Sequence, residues 1–165
     1  MPAFTHILKL SALWLIATAT PIAAAFNGTG ELHTLWSAGD HADLGCITDE
    51  GLWTARETAC GAFEAVPVPD TSMYTLTTAA GACWVRGARF TCGEGNEAFN
   101  FGVIILFFSN WPNGIPGVKV LRYGQYGLMA SRSNGPPGLT DSPKPIHLVS
   151  YSETGKYVWL TWKDL

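Results

Sequence analysis

The sequence predicts an all-β fold, a compact β-sandwich or barrel of short antiparallel strands with two local disulfides. Three observations carry this expectation. Apolar and polar residues alternate in short runs such as Met73-Tyr74-Thr75-Leu76-Thr77. Gly and Pro, 18 and 10 of 165 residues, punctuate those runs too often for a helical bundle and without the period of collagen. Four cysteines lie beside candidate turns, in a chain whose 14% charged and 47% hydrophobic content excludes a highly charged disordered polymer.

The elements follow in chain order. Residues 1–25 read as a secretory signal peptide. Lys9 supplies the positive start, Leu10 to Ala17 the apolar stretch, and Ala23-Ala24-Ala25 the small residues that a peptidase needs. The apolar stretch is too short to span a bilayer. Cleavage is expected between Ala25 and Phe26, leaving residues 26–165 as a single β domain. The leader holds Lys9 and no acid, so the mature part has 140 residues and a formal charge of -4. That charge disfavours a nucleic-acid partner held by bulk electrostatics. Asn27-Gly28-Thr29 is an acceptor sequence for N-glycosylation at Asn27.

Leu32, Leu35 and Trp36 have helical spacing, but Gly28, Gly30 and Gly39 around them argue for a strand starting near Gly30. Met73 to Thr77 is a half-buried strand. Cys83 to Cys92 is a hairpin with its turn near Arg86-Gly87-Ala88. Val103 to Phe108 is continuously apolar and fits a fully buried strand. Asn110 to Gly117 is loop. So is Asn134 to Pro145, where Pro136, Pro137, Pro143 and Pro145 remove backbone donors. Ile146 to Tyr151 is expected to be a strand, Ser152 to Gly155 a turn, and Tyr157 to Trp162 a closing strand.

All four cysteines lie in the mature part, which the leader sends to an oxidising compartment. Cys83 and Cys92 flank the hairpin, where opposite positions are within disulfide reach. That leaves Cys46 with Cys60. A metal site is set aside because there is no CxxC pair and no nearby His.

A family resemblance rests on three blocks. Asp43-Leu44-Gly45-Cys46-Ile47-Thr48, Gly51-Leu52-Trp53-Thr54 and Ala59-Cys60-Gly61-Ala62-Phe63 form the first. Tyr74-Thr75-Leu76-Thr77, Gly81-Ala82-Cys83 and Phe90-Thr91-Cys92-Gly93 form the second. Tyr157-Val158-Trp159-Leu160-Thr161-Trp162 is the third. Together they resemble the C-terminal domain that follows the catalytic domain in fungal ribonucleases of the T-two (Rh-like) family, here as a standalone secreted domain. The resemblance implies a compact β domain, two local disulfides and a role other than bond cleavage. It covers most of Gly28 to Gly95 and, more loosely, Val120 to Lys163. The pattern would bring Val120-Leu121-Arg122-Tyr123-Gly124 sooner after Cys92. Residues 102–119 therefore read either as an insertion or as a gene-model artefact such as a retained intron.

No catalytic residue, cofactor or metal ligand is expected. The ribonuclease catalytic domain carries a His-Gly-Leu-Trp-Pro motif, and this chain has Glu50-Gly51-Leu52-Trp53-Thr54, an echo without the histidine. RNA transesterification needs both a base and an acid, roles that histidine suits. His33, His41 and His147 lie in unrelated sequence. There is no nucleophile elbow, HExxH or P-loop. Glu50 and Glu57 are solvated loop acids rather than a glycosidase pair, and Asp40, His41 and Asp43 a solvated turn rather than a metal cluster.

A binding surface is harder to dismiss. Six Trp remain after the leader: Trp36, Trp53, Trp84, Trp111, Trp159 and Trp162. Most Trp residues pack inside, but their faces also stack on sugars and bases. Trp159 and Trp162 must point to opposite faces of one strand. Trp111 in its Pro-Gly loop, with Arg86 and Arg89 at the hairpin tip, are the candidate ligand contacts. The expected function is a secreted, extracellular, non-catalytic binding or interaction module, accessory or effector-like, directed at a glycan or protein surface. The alternatives are a ribonuclease-associated RNA-binding role and a carbohydrate-binding module.

Overall fold

The computed structural model describes residues 26, 28–36, 42–106, 118–123, 126–127, 129–130, 136–147 and 158–165. The expected leader at 1–25, Asn27, Asp40, His41, Trp111 and the expected turn at 152–155 lie outside them. Strands dominate the described residues, and a single 3-10 turn, Glu57–Ala59, is the helical element among them.

The strands are β1 (Gly28–Trp36), β2 (Asp43–Ile47), β3 (Leu52–Thr54), β4 (Phe63–Pro67), β5 (Met73–Thr78), β6 (Gly81–Arg86) and β7 (Arg89–Gly93). After them come β8 (Phe101–Leu106), β9 (Val118–Tyr123), β10 (Tyr126–Gly127), β11 (Met129–Ala130), β12 (Lys144–Pro145) and β13 (Val158–Asp164). Six of them form a ring in the order β13, β9, β8, β5, β4, β1 and back to β13. Every pairing is antiparallel, and the β9–β13 seam is one residue pair, Val120 opposite Thr161. The result is a nearly closed barrel, which decides between the sandwich and barrel expected from the sequence. Closure leaves few unpaired strand edges. The β2–β3–β12 ribbon extends from β1, and the β6–β7 hairpin from β5.

The central strand is β1. It pairs with β13 from Gly30 opposite Asp164 to Trp36 opposite Val158. On its other side its first residues pair with β4 and its last with β2. The helical spacing of Leu32, Leu35 and Trp36 comes from burial on both faces. Leu32 enters the main core, while Leu35 packs against Val118, Val120 and Trp159 on the other side. Gly30 is required by packing, since a Cβ there would overlap the Trp162 ring.

Phe26, Phe63, Phe90, Phe101, Leu76 and Leu160 are among the fully buried side chains of the main core. Each such side chain contributes about 2–3 kcal/mol by leaving water. Phe26 stacks on Trp162 at 4.7 Å between ring centres and tilts against Tyr74 at 5.7 Å. A second aromatic series runs from Phe63 through Phe90, Phe101 and Phe99 to Trp84, with ring centres 5.1–6.3 Å apart. It leads from the core to the surface beside the hairpin. Trp159 and Trp162 do point to opposite faces, into the smaller and larger apolar clusters respectively.

Both disulfides form as the spacing predicts. Cys83 faces Cys92 directly across β6–β7, with Cα atoms 4.0 Å apart. Cys46 joins Cys60 across 5.4 Å, tying β2 to the 3-10 turn. Each closes a short loop and is worth about 3 kcal/mol through the unfolded chain. The hairpin turn is at Gly87-Ala88, both with positive φ, 55° and 62°. Two such residues make the turn that matches the right-handed twist of paired strands.

One expectation requires correction. The strand expected at Ile146 to Tyr151 does not begin at Ile146. Lys144 and Pro145, read as loop, pair instead with Trp53 and Leu52. Proline is tolerated because this two-residue strand lies at the end of the sheet. Ile146 is buried without joining a strand, His147 makes a single bridge to Arg89, and residues 148–151 are outside the described part.

Candidate functional site

Two clefts concentrate charged side chains. The first lies along β1 and β2. It measures about 360 Å3 and is lined by His33, Asp43 and Glu57 over an apolar floor that includes Leu44, Pro137 and Leu139. Glu31 and His33 share a face because they are two apart on β1. Strand pairing brings Asp43 opposite Leu35, on that same face, and Lys163 opposite Glu31.

His33 is clamped. Its Nδ1 lies 2.8 Å from Asp43 Oδ2 and its Nε2 2.8 Å from Glu31 Oε2. Lys163 Nζ donates to the same Glu31 oxygen at 3.2 Å, and the Gly45 N–H donates to Asp43 Oδ1 at 2.9 Å. A neutral imidazole has one N–H, so donating to both carboxylates requires the protonated ring. The hydrogen bond to Asp43 pushes His33 above its ordinary value; burial opposes this and Glu31 adds to it. The His33 hydrogen bond pulls Glu31 down against its burial, with help from Lys163. Burial pushes Asp43 up, but its bonds from His33 and Gly45 outweigh that and hold it below the usual carboxylate range.

This arrangement has two chemical consequences. With both ring nitrogens occupied, His33 has no lone pair to take a proton from a substrate. Glu31, His33 and the Cys60 sulfur lie within 4.8 Å of one another, a metal-like grouping. The sulfur is bonded to Cys46, so it offers no thiolate, and the other two groups already satisfy each other.

The second cleft lies beside the β6–β7 hairpin. It measures about 210 Å3 and is lined by Trp84, Arg86, Gly95, Asn96 and Glu97. Trp84 and Arg86 share one face of β6, while Val85 between them packs against the main core. Trp84 is half-buried, its ring edge-on to Phe99 at 5.6 Å and 71°. Asn96 Nδ2 donates to the Ala82 carbonyl at 3.1 Å, which fixes the amide. The Phe99 N–H donates to the Cys83 carbonyl at 3.2 Å and holds the loop against the hairpin. Arg86 and Glu97 face this one cleft, yet among the described residues neither side chain makes an ion pair or hydrogen bond.

The matched family spans this architecture. Residues 24–106 match the RNase T2-like C-terminal domain. The chain belongs to that family. The RNase T2-like C-terminal domain match takes in β1 to β8, both disulfides and every residue of the hairpin cleft. The first cleft adds Pro136, Pro137 and Leu139 from beyond the matched span. The match ends at 106, inside the 102–119 stretch that reads as inserted. No curated protein and no solved structure matches the chain. Among the described residues, no helix is long and apolar enough to cross a membrane.

The structure separates the candidate contacts. Arg86 and Arg89 are direct strand partners, both exposed, but Arg86 lines the hairpin cleft while Arg89 sits beside His147. Glu57 lines the first cleft and Glu50 does not; Glu50 accepts the Thr48 hydroxyl at 2.8 Å. Sequence reasoning missed Trp84, Asn96 and Glu97 as a group, and the Glu31–His33–Asp43 cluster. The two-residue spacings of Trp84 with Arg86 and of Glu31 with His33 were the available signals.

Proposed function

We propose that the chain is a secreted, extracellular, non-catalytic binding module, accessory or effector-like, with its ligand site in the hairpin cleft. The observation that carries this is that Arg86 and Glu97, without a side-chain partner among the described residues, face one cleft beside Trp84. Charged groups that satisfy no neighbour remain available to a ligand. The non-catalytic reading is supported by His33, whose two nitrogens are both engaged by carboxylates.

The same proposal covers processing. Residues 1–25 are a cleaved signal peptide, residues 26–165 one β domain, and residues 102–119 an insertion. Gly102 to Leu106 pair with Val118 to Arg122 as adjacent barrel strands, which favours a genuine segment over a gene-model artefact. Two disulfides suit an oxidising compartment. Cleavage after Ala25 retains Phe26, whose ring the core needs. Asn27 is then a glycosylation site beside the exposed Thr29.

The test is incubation of the purified mature protein with RNA from about pH 4 to about pH 8. No cleavage above a blank is expected. Cleavage that disappears in His33→Ala or His147→Ala would overturn the reading.

A further inference from the structure

We propose that the hairpin cleft is a subsite for one neutral pyranose ring of a glycan, a proposal that rests on the binding-module reading above. The cleft is small, about 210 Å3, which suits a single six-membered ring. The aromatic face of Trp84 matches the C–H face of a pyranose. Around it stand three complementary polar groups. The Arg86 guanidinium donates only, the Glu97 carboxylate accepts only, and the Asn96 amide does both. Sugar hydroxyls both donate and accept, so vicinal pairs can engage such groups together.

Charge selects within this chemistry. Arg86 and Glu97 cancel, so the lining has no net charge. A phosphate would meet the Glu97 carboxylate and a cation the Arg86 guanidinium. The chain's formal charge of -3 adds no attraction for RNA. A neutral polyhydroxylated ring satisfies both groups without either repulsion.

The site is also built before any ligand arrives. The Cys83–Cys92 disulfide braces β6–β7 next to Trp84, and the Phe99 ring packs against the indole at 5.6 Å. Asn96 is tied through its side chain to Ala82 and through its N–H to the Gly93 carbonyl at 3.4 Å. Groups already ordered lose little entropy on binding, which lets a small contact area give measurable affinity.

The experiment is an NMR titration of the 15N-labelled mature protein with four neutral hexasaccharides: β-1,4-glucan, β-1,3-glucan, chitin-type and mannan-type. Hexauridylate is the anionic arm. At least one neutral oligosaccharide should shift the Trp84 indole and the Arg86 and Glu97 amides saturably, with Kd of about 1 mM. Arg86→Ala and Glu97→Gln should each weaken it about tenfold. Both positions are exposed, so unchanged spectra elsewhere will show that these variants fold. Trp84→Ala should abolish the shifts. The proposal is overturned if no neutral oligosaccharide shifts these signals up to about 10 mM. It is also overturned if Arg86→Ala and Glu97→Gln bind like the parent, or if hexauridylate binds here more tightly than any sugar. RNA cleavage by the protein would remove the underlying reading instead. Failure of the sugars without cleavage removes the pyranose assignment alone.

Discussion

Two charged clusters on this barrel carry the same sum of charge and opposite arrangements of it. Along β1, Glu31, His33, Asp43 and Lys163 total zero and satisfy one another in a continuous series of hydrogen bonds. Beside β6–β7, Arg86 and Glu97 also total zero, but stand apart with no partner among the described residues. Closed clusters hold strands together; open ones leave their hydrogen-bonding capacity to a ligand. Residue composition alone would have ranked them the other way. A histidine between two carboxylates in the larger cleft looks like machinery, whereas its geometry makes it a clamp joining β1 to β2.

Phe26→Ala removes a fully buried ring from the main core and should cost about 3–5 kcal/mol, measured by denaturant unfolding. An effect below about 1 kcal/mol would mean that the Phe26 ring does not fill the core. His33→Ala leaves Asp43 and Glu31 short of a donor and should cost about 2 kcal/mol. It should leave sugar binding unchanged. Loss of binding in that variant would erase the distinction between the two clefts.

The pH dependence of stability sharpens the same point. His33 is raised on folding, so its contribution is complete below its ordinary value of 6.5 and fades as pH climbs through the raised folded value. Glu31 and Asp43 are lowered, so theirs is complete above the ordinary values of 4.5 and 3.8 and fades as pH drops through the folded values. The cluster therefore stabilises most in the mildly acidic range. Melting temperature followed against pH should fall on the alkaline side in the parent and stay flat there in His33→Ala. At the other cleft, Arg86→Ala and Glu97→Gln should change stability by no more than about 0.5 kcal/mol, because neither side chain is paired among the described residues. A larger loss in either would show that the open cluster is structural after all.

Much of the fold was legible in local sequence. The β6–β7 hairpin, its disulfide and its turn follow from residues within ten positions of each other, so local chemistry settles them. The alternation in β5 and the apolar run of β8 are equally local. Lys144–Pro145 is not: its pairing with β3 is decided by a ribbon ninety positions earlier in the chain. The same limit hid the clamp. Glu31 and His33 alternate visibly, but Asp43 and Lys163 join them only through the register of β2 and β13. The place of Arg86 at the hairpin tip was legible. Its difference from Arg89 was not, because Asn96 and Glu97 arrive from a loop whose path depends on tertiary hydrogen bonds.

The most direct measurement is the protonation of the His33 ring, read from its 15N side-chain shifts as pH is raised. Protons on both Nδ1 and Nε2 at pH values above the ordinary 6.5 are the predicted result. A neutral ring with one bare nitrogen at mildly acidic pH would contradict the account, since His33 would then hold a lone pair ready for acid-base chemistry.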